Sequence, residues 1–307
     1  MQIVTLTMNP AIDAWIEIAQ LTPGRKLRSG TPIYDPGGGG INVARVVHEL
    51  GGQCLGIYAA GGATGQQLDD LLETRGIPWQ RIEIDGRTRQ DIAVFEKTSE
   101  QLFRLVMPGP ELSEREQHKC IDALERLEAA PEYMVVSGSL PPGVGPDFYR
   151  RVVRSMKARG TRLIVDTKPG LLRDTLEEGV FLIKPNLREL SELTDRDLKR
   201  EEEQEQAAQD LVSRGACEFV VVSLGAAGVL LVSRETTDRI RAPSVRVRSK
   251  VGAGDSTVGG LTLGLARGLS ISKAVRYGVA AGTAAVMTPG TQLCRRQDVE
   301  DLFQRIR

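Results

Sequence analysis

The chain has 307 residues, and its 40 lysines and arginines balance its 40 aspartates and glutamates, so its formal net charge is zero. A zero balance argues against proteins that bind nucleic acid or anionic membrane surfaces, because those need a large basic field. The four cysteines lie far apart without a C-x-x-C motif, which argues against a structural zinc site or a disulfide framework. Glycine, with 33 residues, exceeds its usual share of about 7%. We therefore expect the excess glycine to have local structural uses.

The chain shows neither targeting nor membrane-spanning segments. Its first residues lead straight into a strand-like sequence, without the basic and apolar regions of a signal peptide. No apolar run approaches the ~18 residues that a membrane-spanning helix needs. The length allows one large domain or two smaller ones. Because no flexible linker interrupts the chain, we expect one cytoplasmic domain over residues 1–307 that does not contact a membrane or nucleic acid.

Short β-rich segments alternate with longer helical patterns along the chain. Continuous apolar runs such as Met134-Val135-Val136 are typical of strands buried on both faces. Alternating strands and helices predict an α/β fold with a mostly parallel central sheet flanked by helices. The predicted strands are Ile3–Thr7, Tyr133–Ser137, Arg162–Asp166, Phe181–Lys184 and Phe219–Ser223, and the predicted helices include Ser113–Ala130, Asp147–Arg159, Glu202–Arg214 and Ser270–Met287.

Two segments, about residues 14–36 and 87–107, break this alternation. Both contain extended runs with polar residues interleaved, which is typical of half-exposed antiparallel strands. We predict that they form a small β-sheet apart from the main layer, serving as a lid or an oligomer contact. An extended strand with an open edge favours pairing with another chain. This predicts a homodimer through the small sheet.

The first glycine cluster, Gly37–Gly40, precedes a helical pattern that begins near Ile41. One reading is a tight turn from strand to helix. The other is a backbone that passes very close to a ligand at the start of a helix. No G-x-G-x-x-G sequence and no Walker G-x-x-x-x-G-K-[ST] sequence occurs, so the cluster is not a dinucleotide or P-loop motif.

The second cluster, Gly252-Ala253-Gly254-Asp255, also opens a helical pattern. Such a loop presents free N–H groups and the positive end of the helix dipole to an anion. Asp255 suits a helix N-cap, which is a structural role. It equally suits a base that takes a proton from a hydroxyl while the loop binds phosphoryl oxygens, as phosphoryl transfer to an alcohol requires.

A third motif, Lys184-Pro185-Asn186-Leu187-Arg188-Glu189, follows a predicted buried strand. Asn186 and Glu189 have the spacing of a helix capping box. The same two side chains could orient water molecules around a phosphate-bound Mg²⁺, which prefers few direct protein ligands. A fourth segment, Ser223–Gly228, indicates only a turn by itself.

The first three motifs, with Asn42 after Gly37–Gly40, and the segment Gly61-Gly62-Ala63-Thr64-Gly65 resemble in order and spacing those of the PfkB family of ribokinase-like sugar kinases. The resemblance extends from Leu6 to Cys294. Within the family, further segments are similar to markers of the kinases that act on phosphorylated sugars. These segments are Thr7–Asp13, Thr88-Arg89, Met107-Pro108-Gly109 and Ser137–Gly143.

The combination of Gly37–Arg45, Gly61–Gly65 and Gly290–Cys294 is most similar to the 6-phosphofructokinase branch. The best discriminator is the run Gly37–Gly40, because one of these glycines is commonly lysine in 1-phosphofructokinases and tagatose-6-phosphate kinases. The resemblance implies Mg²⁺- and ATP-dependent phosphorylation of a ketohexose phosphate, fructose 6-phosphate, at the C1 hydroxyl in glycolysis. Asp91 stands where relatives commonly have asparagine. A carboxylate there adds negative charge near the expected phosphate site, which leaves the identity of the phosphosugar open.

The resemblance also implies roles for individual residues. Asp255 would be the general base, and the N–H groups of Gly252, Ala253 and Gly254 would form an anion hole for the γ-phosphoryl group. Asp13, Asn42, Gly38, Gly39 and Ser139 would contact the sugar, and the cations Lys26 and Arg89 its phosphate. Lys184, Asn186, Ser223, Gly225 and Thr283, the last beside Ala284, would contact the nucleotide, while Asn186 and Glu189 would hold Mg²⁺ through water. Ser249, Val251, Ala285 and Gly290 match positions that coordinate a monovalent cation such as K⁺ in relatives.

Three other functions remain open at this point. Two are enzymes of the same family, a 1-phosphofructokinase and a tagatose-6-phosphate kinase. The third is a non-catalytic protein that senses a sugar phosphate or a nucleotide. The intact Asp255 and its glycine loop argue against a sensor, because a sensor needs binding but no base.

Overall fold

A nine-stranded sheet forms the main layer of the computed structural model, which describes residues 2–306, and a four-stranded sheet lies apart from it. The strands are β1 Ile3–Thr7, β2 Ala11–Ile18, β3 Ile33–Gly37, β4 Cys54–Ala60, β5 Trp79–Glu83, β6 Arg89–Glu96, β7 Gln101–Leu105, β8 Tyr133–Ser137, β9 Arg162–Asp166, β10 Val180–Ile183, β11 Cys217–Ser223, β12 Val229–Val232 and β13 Thr237–Ile240. The helices are α1 Gly39–Glu49, α2 Gly62–Thr74, α3 Glu114–Glu125, α4 Asp147–Ala158, α5 Pro169–Leu176, α6 Leu187–Thr194, α7 Glu201–Ser213, α8 Ala253–Ala266, α9 Ile271–Val286 and α10 Arg296–Phe303.

The main sheet has the strand order β13-β12-β11-β10-β9-β8-β1-β4-β5. All pairings from β11 to β5 are parallel, and only β12 and β13 add antiparallel strands at one edge. The predicted mostly parallel α/β sheet is therefore confirmed. The predicted bounds of β1, β8 and β9 match those observed, whereas β10 and β11 begin earlier than predicted, at Val180 and Cys217.

The apolar runs of the central strands have a clear physical origin. Along β8, Val135 packs into one apolar core while Met134 and Val136 pack into the other. The first core is completed by α1, α2, α8, α9 and α10, and the second by α3 to α7. Because helices cover both faces of the sheet, successive side chains of a strand, which point to opposite faces, are all apolar.

The predicted small sheet apart from the main layer is confirmed. Its strand order is β3-β2-β6-β7, and it differs from the expectation in two details. The pairs β2–β3 and β6–β7 are antiparallel as expected, but the central pair β2–β6 is parallel. The first segment also begins earlier, at Ala11, and residues 19–32 form an exposed connection outside the strands. Alternation of polar and apolar residues reports that a strand is half exposed, and it carries no information on strand direction.

Candidate active site

The candidate site lies where the parallel strands of the main sheet end. Ser137 and Asp166 are the last residues of β8 and β9 and lie opposite each other in the register, and Lys184 directly follows β10. Ligands of open α/β sheets bind outside the carboxyl ends of the strands. This edge therefore collects the polar groups that the sequence singled out.

Asp255 lies in the first turn of α8, beside the main sheet. Gly252 caps this helix with a φ of +74°, a left-handed conformation that favours glycine. Asn42 Nδ2 donates a hydrogen bond to Asp255 Oδ2 at 2.8 Å. Burial, followed by the charge of Asp166, raises the pKa of Asp255 to about 6, against the opposing effects of Asn42 and Lys184. A carboxylate with a pKa close to neutrality is well suited to accept a proton.

Lys184 is buried beside the start of α8. Its Nζ lies 3.4 Å from Asp166 Oδ1, and a Cβ added at Gly254 would lie 3.6 Å from the same Nζ. One ammonium group thus lies close to two carboxylates, those of Asp166 and Asp255, and to the free N–H groups at a helix start. Among residues 2–306, no group of three or more His, Cys, Asp and Glu forms a metal site by itself.

The glycine run Gly37–Gly40 passes very close to the ends of β1 and β8. Side chains at Gly37 and Gly39 would collide with the Asp13 carboxylate and the Ser137 hydroxyl, and a Cβ at Gly40 would lie 2.5 Å from Thr7 Oγ1. Gly38 has a φ of +108°. Close approach between parts of the protein itself therefore explains these glycines, so the tight-turn reading accounts for them more fully than the sequence alone indicated.

Three aspartates lie side by side on one face of the small sheet. Asp13 of β2 is opposite Asp35 of β3 on one side and Asp91 of β6 on the other. Partial burial, followed by the charge of Asp91, raises the pKa of Asp13 to about 6, while Arg104 and Arg45 lower it. The small sheet therefore contributes a second carboxyl group, that of Asp13, whose pKa is raised to about 6.

Arg89, at the start of β6, is held by a fixed set of acceptors. Its Nη1 donates to both carboxylate oxygens of Asp91, at 2.8 and 3.0 Å, and to the carbonyl of Met107 at 3.1 Å. Its Nη2 donates to the carbonyl of Asn9 at 3.1 Å, and its Nε is buried without a hydrogen-bond partner among residues 2–306. Asp91 thus pairs with the Arg89 guanidinium, the group that the resemblance assigns to the phosphate of the sugar.

Ser139 and Lys26, which the resemblance assigns to the sugar and its phosphate, lie in different environments. Asn9 Nδ2 donates to Ser139 Oγ at 3.1 Å, and Asn9 Oδ1 is buried and accepts no hydrogen bond from the described part of the chain. Ser139 therefore lies near the chain that links β1 to β2. Lys26 lies on the exposed connection between β2 and β3, and within the described residues neither a hydrogen bond nor an ion pair joins it to another side chain. The structure thus joins Ser139 to Asn9 by a hydrogen bond, whereas it shows no such contact for Lys26 within residues 2–306.

Asn186 and Glu189 form the capping box at the start of α6. The Glu189 N–H donates to Asn186 Oδ1 at 2.9 Å, and the Asn186 N–H donates to Glu189 Oε2 at 2.8 Å. Asn186, Ser223 and Gly225 line one pocket of about 460 Å³, where Ser223 forms an isolated bridge with Asn186. Thr283 is buried on α9 and does not line this pocket.

The four residues predicted to hold a monovalent cation lie around the loop that follows α9. The Ser249 hydroxyl donates to the carbonyl of Gly290 at 2.9 Å and accepts from the Val251 N–H at 3.1 Å. The carbonyl of Ala285 accepts from the Thr288 hydroxyl at 2.7 Å. Three of the four residues are thus linked directly by hydrogen bonds.

Sequence reasoning missed several polar residues that complete the site. Arg45 donates from Nη1 to Asn42 Oδ1 at 3.0 Å. Its spacing of three residues from Asn42 on a predicted helix was an available signal, because such residues share a helix face. Asp166 ends a predicted strand, and the carboxyl end of a parallel strand was a signal of the same kind. Asn9 lies in the segment Thr7–Asp13 that resembles the phosphosugar kinases, but nothing in that segment assigned it a role of its own.

The arrangement combines three chemical capabilities in one cleft. Asp255 can accept a proton, Lys184 and the start of α8 can bind an anion, and Asp13 with Asn42 offers partners for hydroxyl groups. A base on a hydroxyl nucleophile beside a site that stabilises phosphoryl oxygens is the requirement for phosphoryl transfer to an alcohol.

Comparisons with known proteins agree with this chemistry. The family model described as pfkB family carbohydrate kinase matches residues 6–298. The ATP-dependent 6-phosphofructokinase isozyme 2 of Mycobacterium tuberculosis is 46% identical over 303 residues, covering 99% of this chain and 89% of the relative. The protein of the same name from Escherichia coli is 41% identical, covering 98% of both. Tagatose-6-phosphate kinase of Staphylococcus epidermidis, at 29% identity, is more distant.

The solved structures lead to the same group of proteins. The structure of Escherichia coli phosphofructokinase-2 in complex with potassium matches with a TM-score of 0.96 at 40% identity, covering 99% of this chain and 98% of the other. A second structure of that protein, in complex with fructose-6-phosphate, matches with a TM-score of 0.94 at 39% identity, covering 99% of this chain and 98% of the other.

Proposed function

This chain belongs to the pfkB family of carbohydrate kinases, and we propose that it transfers the γ-phosphoryl group of ATP to the C1 hydroxyl of fructose 6-phosphate. The observation that carries the proposal is the half-buried Asp255 carboxylate, hydrogen-bonded to Asn42 at the start of α8 and close to Lys184. The named relatives at 41–46% identity support fructose 6-phosphate over tagatose 6-phosphate as the acceptor.

In this proposal Asp255 is the general base. Its carboxylate takes the proton from the C1 hydroxyl as the oxygen attacks phosphorus. The raised pKa of about 6 makes Asp255 a stronger base than an ordinary aspartate, yet it leaves the group ionised at neutral pH. The Asn42 amide holds one carboxylate oxygen and thereby leaves the other oriented for the hydroxyl.

The start of α8 serves as the anion hole. The N–H groups of Gly252, Ala253 and Gly254 lie in the turn where a helix leaves its donors without internal partners. In the transition state the transferred group carries negative charge on three oxygens, which these donors stabilise. The left-handed φ of Gly252 gives the loop its sharp entry into the helix.

Lys184 and the acidic residues near it serve the nucleotide phosphates and their metal. Asp166, Asn186 and Glu189 suit a phosphate-bound Mg²⁺, because that ion keeps most of its waters and needs only one or two carboxylates. The repulsion between Asp166 and Asp255, which raises the pKa of Asp255, marks a place where positive charge is favourable. When bound, Mg²⁺ supplies charge neutralisation for the phosphates. Ser223 and Gly225 line the adjacent pocket, and Thr283 with Ala284 is proposed to border the adenine.

The acceptor binds on the small-sheet side of the cleft. Asp13 and Asn42 bind sugar hydroxyls, and the chain at Gly38 and Gly39 lies beside them because side chains are missing there. Arg89 binds the acceptor phosphate with its unpartnered Nε and with the Nη1 group that now contacts Asp91.

Lys26 and Ser139 complete the acceptor-binding set. For Lys26 this requires the exposed connection at residues 19–32 to fold over the bound sugar phosphate. The Ser139 hydroxyl, which accepts a hydrogen bond from Asn9, offers a donor for a sugar or phosphate oxygen.

A monovalent cation site belongs to the same proposal. Ser249, Val251, Ala285 and Gly290 offer carbonyl and hydroxyl oxygens beside α8, the type of ligand that a hard cation such as K⁺ prefers. Support comes from the Ser249–Gly290 and Ser249–Val251 hydrogen bonds, which hold those residues together. A comparison of turnover in potassium and in tetramethylammonium salts tests it.

A homodimer through the small sheet is also proposed. Tyr34, Ala14, Ile92 and Leu105 lie in one row across β3, β2, β6 and β7, and Tyr34 and Leu105 expose 40% and 50% of their surface. An apolar row of this kind favours a second copy of the face.

Analytical ultracentrifugation tests the dimer with two variants. Leu105→Glu is expected to give a monomer, whereas Val247→Glu, at a residue that is 54% exposed outside the sheet, is expected to leave the dimer intact. A dimer that persists in Leu105→Glu contradicts this contact.

The decisive experiment for the function is a coupled ADP-release assay with a panel of acceptors. The panel contains fructose 6-phosphate, fructose 1-phosphate, tagatose 6-phosphate and fructose. The highest kcat/KM is expected with fructose 6-phosphate. A preference for another phosphosugar would identify a different kinase of the family. Binding of a phosphosugar without any turnover would identify a sensor.

A further inference from the structure

Arg45 of α1 connects the base to the small sheet, although no role in the reaction has been assigned to it above. Its Nη1 donates to the Pro36 carbonyl at 2.7 Å and to Asn42 Oδ1 at 3.0 Å, and its Nη2 lies 3.4 Å from Asp35 Oδ1. Asn42 in turn donates to Asp255 at 2.8 Å. A continuous chain of polar contacts thus runs from Asp35 through Arg45 and Asn42 to the base.

The contact with Arg45 fixes which way the Asn42 amide points. A guanidinium has only donors, so the atom of Asn42 that it contacts is the carbonyl oxygen. The amide nitrogen is then directed to the other side, where Asp255 accepts its hydrogen bond. Without Arg45 the amide can rotate by 180° and present its oxygen to the Asp255 carboxylate, which is repulsive.

Arg45 is, with Lys184, one of the buried cations near the site carboxylates. Only 10% of its side chain is exposed. Burial lowers the pKa of Arg45, and the charges of Asp35, Asp13 and Asp255 raise it, which shows that all three carboxylates lie within its electrostatic reach. The other groups that act on Asp255 are Asp166 and Asp13, which oppose its ionisation, and Lys184 and Asn42, which favour it.

Arg75 of α2 offers a matched comparison. It also pairs with Asp35, at a shorter distance of 2.6 Å. Its other hydrogen bond goes to the carbonyl of Leu71, and 33% of its side chain is exposed. Removal of Arg75 therefore disturbs the same carboxylate as removal of Arg45, but it leaves the contact with Asn42 in place.

We propose that Arg45 is a positioning residue that orients the Asn42 amide and, through it, holds Asp255 in the geometry needed to take the proton from the acceptor hydroxyl. The inference rests on the proposed function of Asp255 as base. Arg45 does not touch the substrates. Its effect is therefore expected in kcat and in the ionisation of Asp255, and not in the KM for ATP.

The test compares Arg45→Met with Arg75→Met in the full-length protein, using the acceptor that the substrate panel identifies. Arg45→Met is expected to lower kcat about 10–100-fold, the size of effect produced by a misplaced catalytic group. The acid limb of the kcat/KM profile is expected to move up by about one pH unit, because the cation and the oriented donor that favour the Asp255 carboxylate are weakened. Arg75→Met is expected to stay within about three-fold of the parent kcat, with the acid limb unmoved.

A double variant separates action through Asn42 from general damage. If Arg45 acts through Asn42, Asn42→Ala combined with Arg45→Met is no slower than Asn42→Ala alone. Additive losses would overturn the proposal, as would equal kcat values and equal acid limbs for Arg45→Met and Arg75→Met.

Arg45→Lys covers the case in which the methionine variant does not fold. Lysine retains a cation for Asp35 but lacks the planar fork that reaches Pro36 and Asn42 together. It is expected to keep the parent Tm and to lose about ten-fold in kcat, and a parent kcat in this variant contradicts the proposal.

A measurement without turnover distinguishes failure of this inference from failure of the proposed function. The gain in Tm that Asp255→Asn produces at pH 8 reports how unfavourable the ionised carboxylate is in the folded protein. This gain is expected to be larger in the Arg45→Met background than in the Arg75→Met background. Arg45→Lys takes the place of Arg45→Met if the methionine variant does not fold. Equal gains overturn the positioning role even if no phosphosugar is turned over.

Discussion

The two sides of the cleft are built in different ways. On the phosphoryl-transfer side, Lys184 is buried and Asp255 is half-buried at the start of α8, next to a main sheet that is covered on both faces by apolar cores. On the acceptor side, Arg89 and Asp13 stand on a small sheet whose other face exposes Tyr34 and Leu105 to solvent. On the second side Arg89, the residue proposed to bind the acceptor phosphate, is paired with Asp91, so phosphate binding to Arg89 requires an exchange of contacts.

Asp255→Asn tests the phosphoryl-transfer side and has the largest expected effect. The amide cannot take the proton from the acceptor hydroxyl, so kcat is expected to fall about 10²–10⁴-fold, the usual contribution of a general base. The coupled ADP-release assay measures the loss, and far-UV circular dichroism checks that the fold is intact. Turnover near the parent value would remove Asp255 from the mechanism.

Arg89→Ala tests the acceptor side, where Arg89 is paired with Asp91. Loss of a charged contact to the acceptor phosphate is expected to raise the KM for the phosphosugar about 10–100-fold, since such contacts contribute about 1.5–3 kcal/mol. The KM for ATP is expected to change little. Comparable increases in both KM values would place Arg89 outside the acceptor site.

Asp91→Asn is expected to change the KM for the phosphosugar in the direction opposite to Arg89→Ala. Removing the charge that holds Arg89 Nη1 and faces the incoming phosphate is expected to lower the phosphosugar KM about 2–10-fold at nearly unchanged kcat. Asp69→Asn is the matched control, because Asp69 pairs with Arg81 at 2.6 Å in a buried contact with Tyr58, outside the site residues. An unchanged phosphosugar KM in Asp91→Asn would mean that the Arg89–Asp91 pair does not compete with the ligand.

The smallest expected effect is on stability. The folded pKa of Asp255, about 6, lies above its unfolded value of 3.8, so its ionisation opposes folding as pH rises through 6. Asp255→Asn is therefore expected to raise Tm at pH 8, by a few degrees and by at most about 3 kcal/mol of unfolding free energy. At pH 5 the gain is expected to shrink, because the parent carboxyl group is then largely protonated. Calorimetric scans at both pH values measure it, and a gain that grows at pH 5 contradicts the assigned sign.

The main sheet was largely predictable from sequence. Apolar runs such as Val220–Val222 mark strands covered on both faces, and their alternation with helices fixes the class of fold. The parallel pairing of β2 with β6 was not predictable in this way, because it depends on where each strand leaves the main layer. Side-chain alternation does not contain that information.

The site was predictable where a local pattern coincides with the chemistry. The Gly252–Asp255 loop is such a pattern, because its glycines and its carboxylate are contiguous. Arg45 and Asp166 escaped because their roles come from contacts across the fold. The pairing of Arg89 with Asp91 could not be predicted either, although a carboxylate at position 91, close to the expected phosphate site, had left the identity of the phosphosugar open.

The hydrogen bond between Asn42 and Asp255 has a consequence for how the protein is made. It joins residues 213 positions apart, whereas all strands of the small sheet lie within the first 105 residues. During synthesis the acceptor side can therefore assemble on the ribosome well before α8 has left the exit tunnel. A chain interrupted between those points can carry a sugar-binding face without a base. Asp255 joins Asn42 only when most of the polypeptide has been translated, so catalytic competence reports a nearly finished molecule.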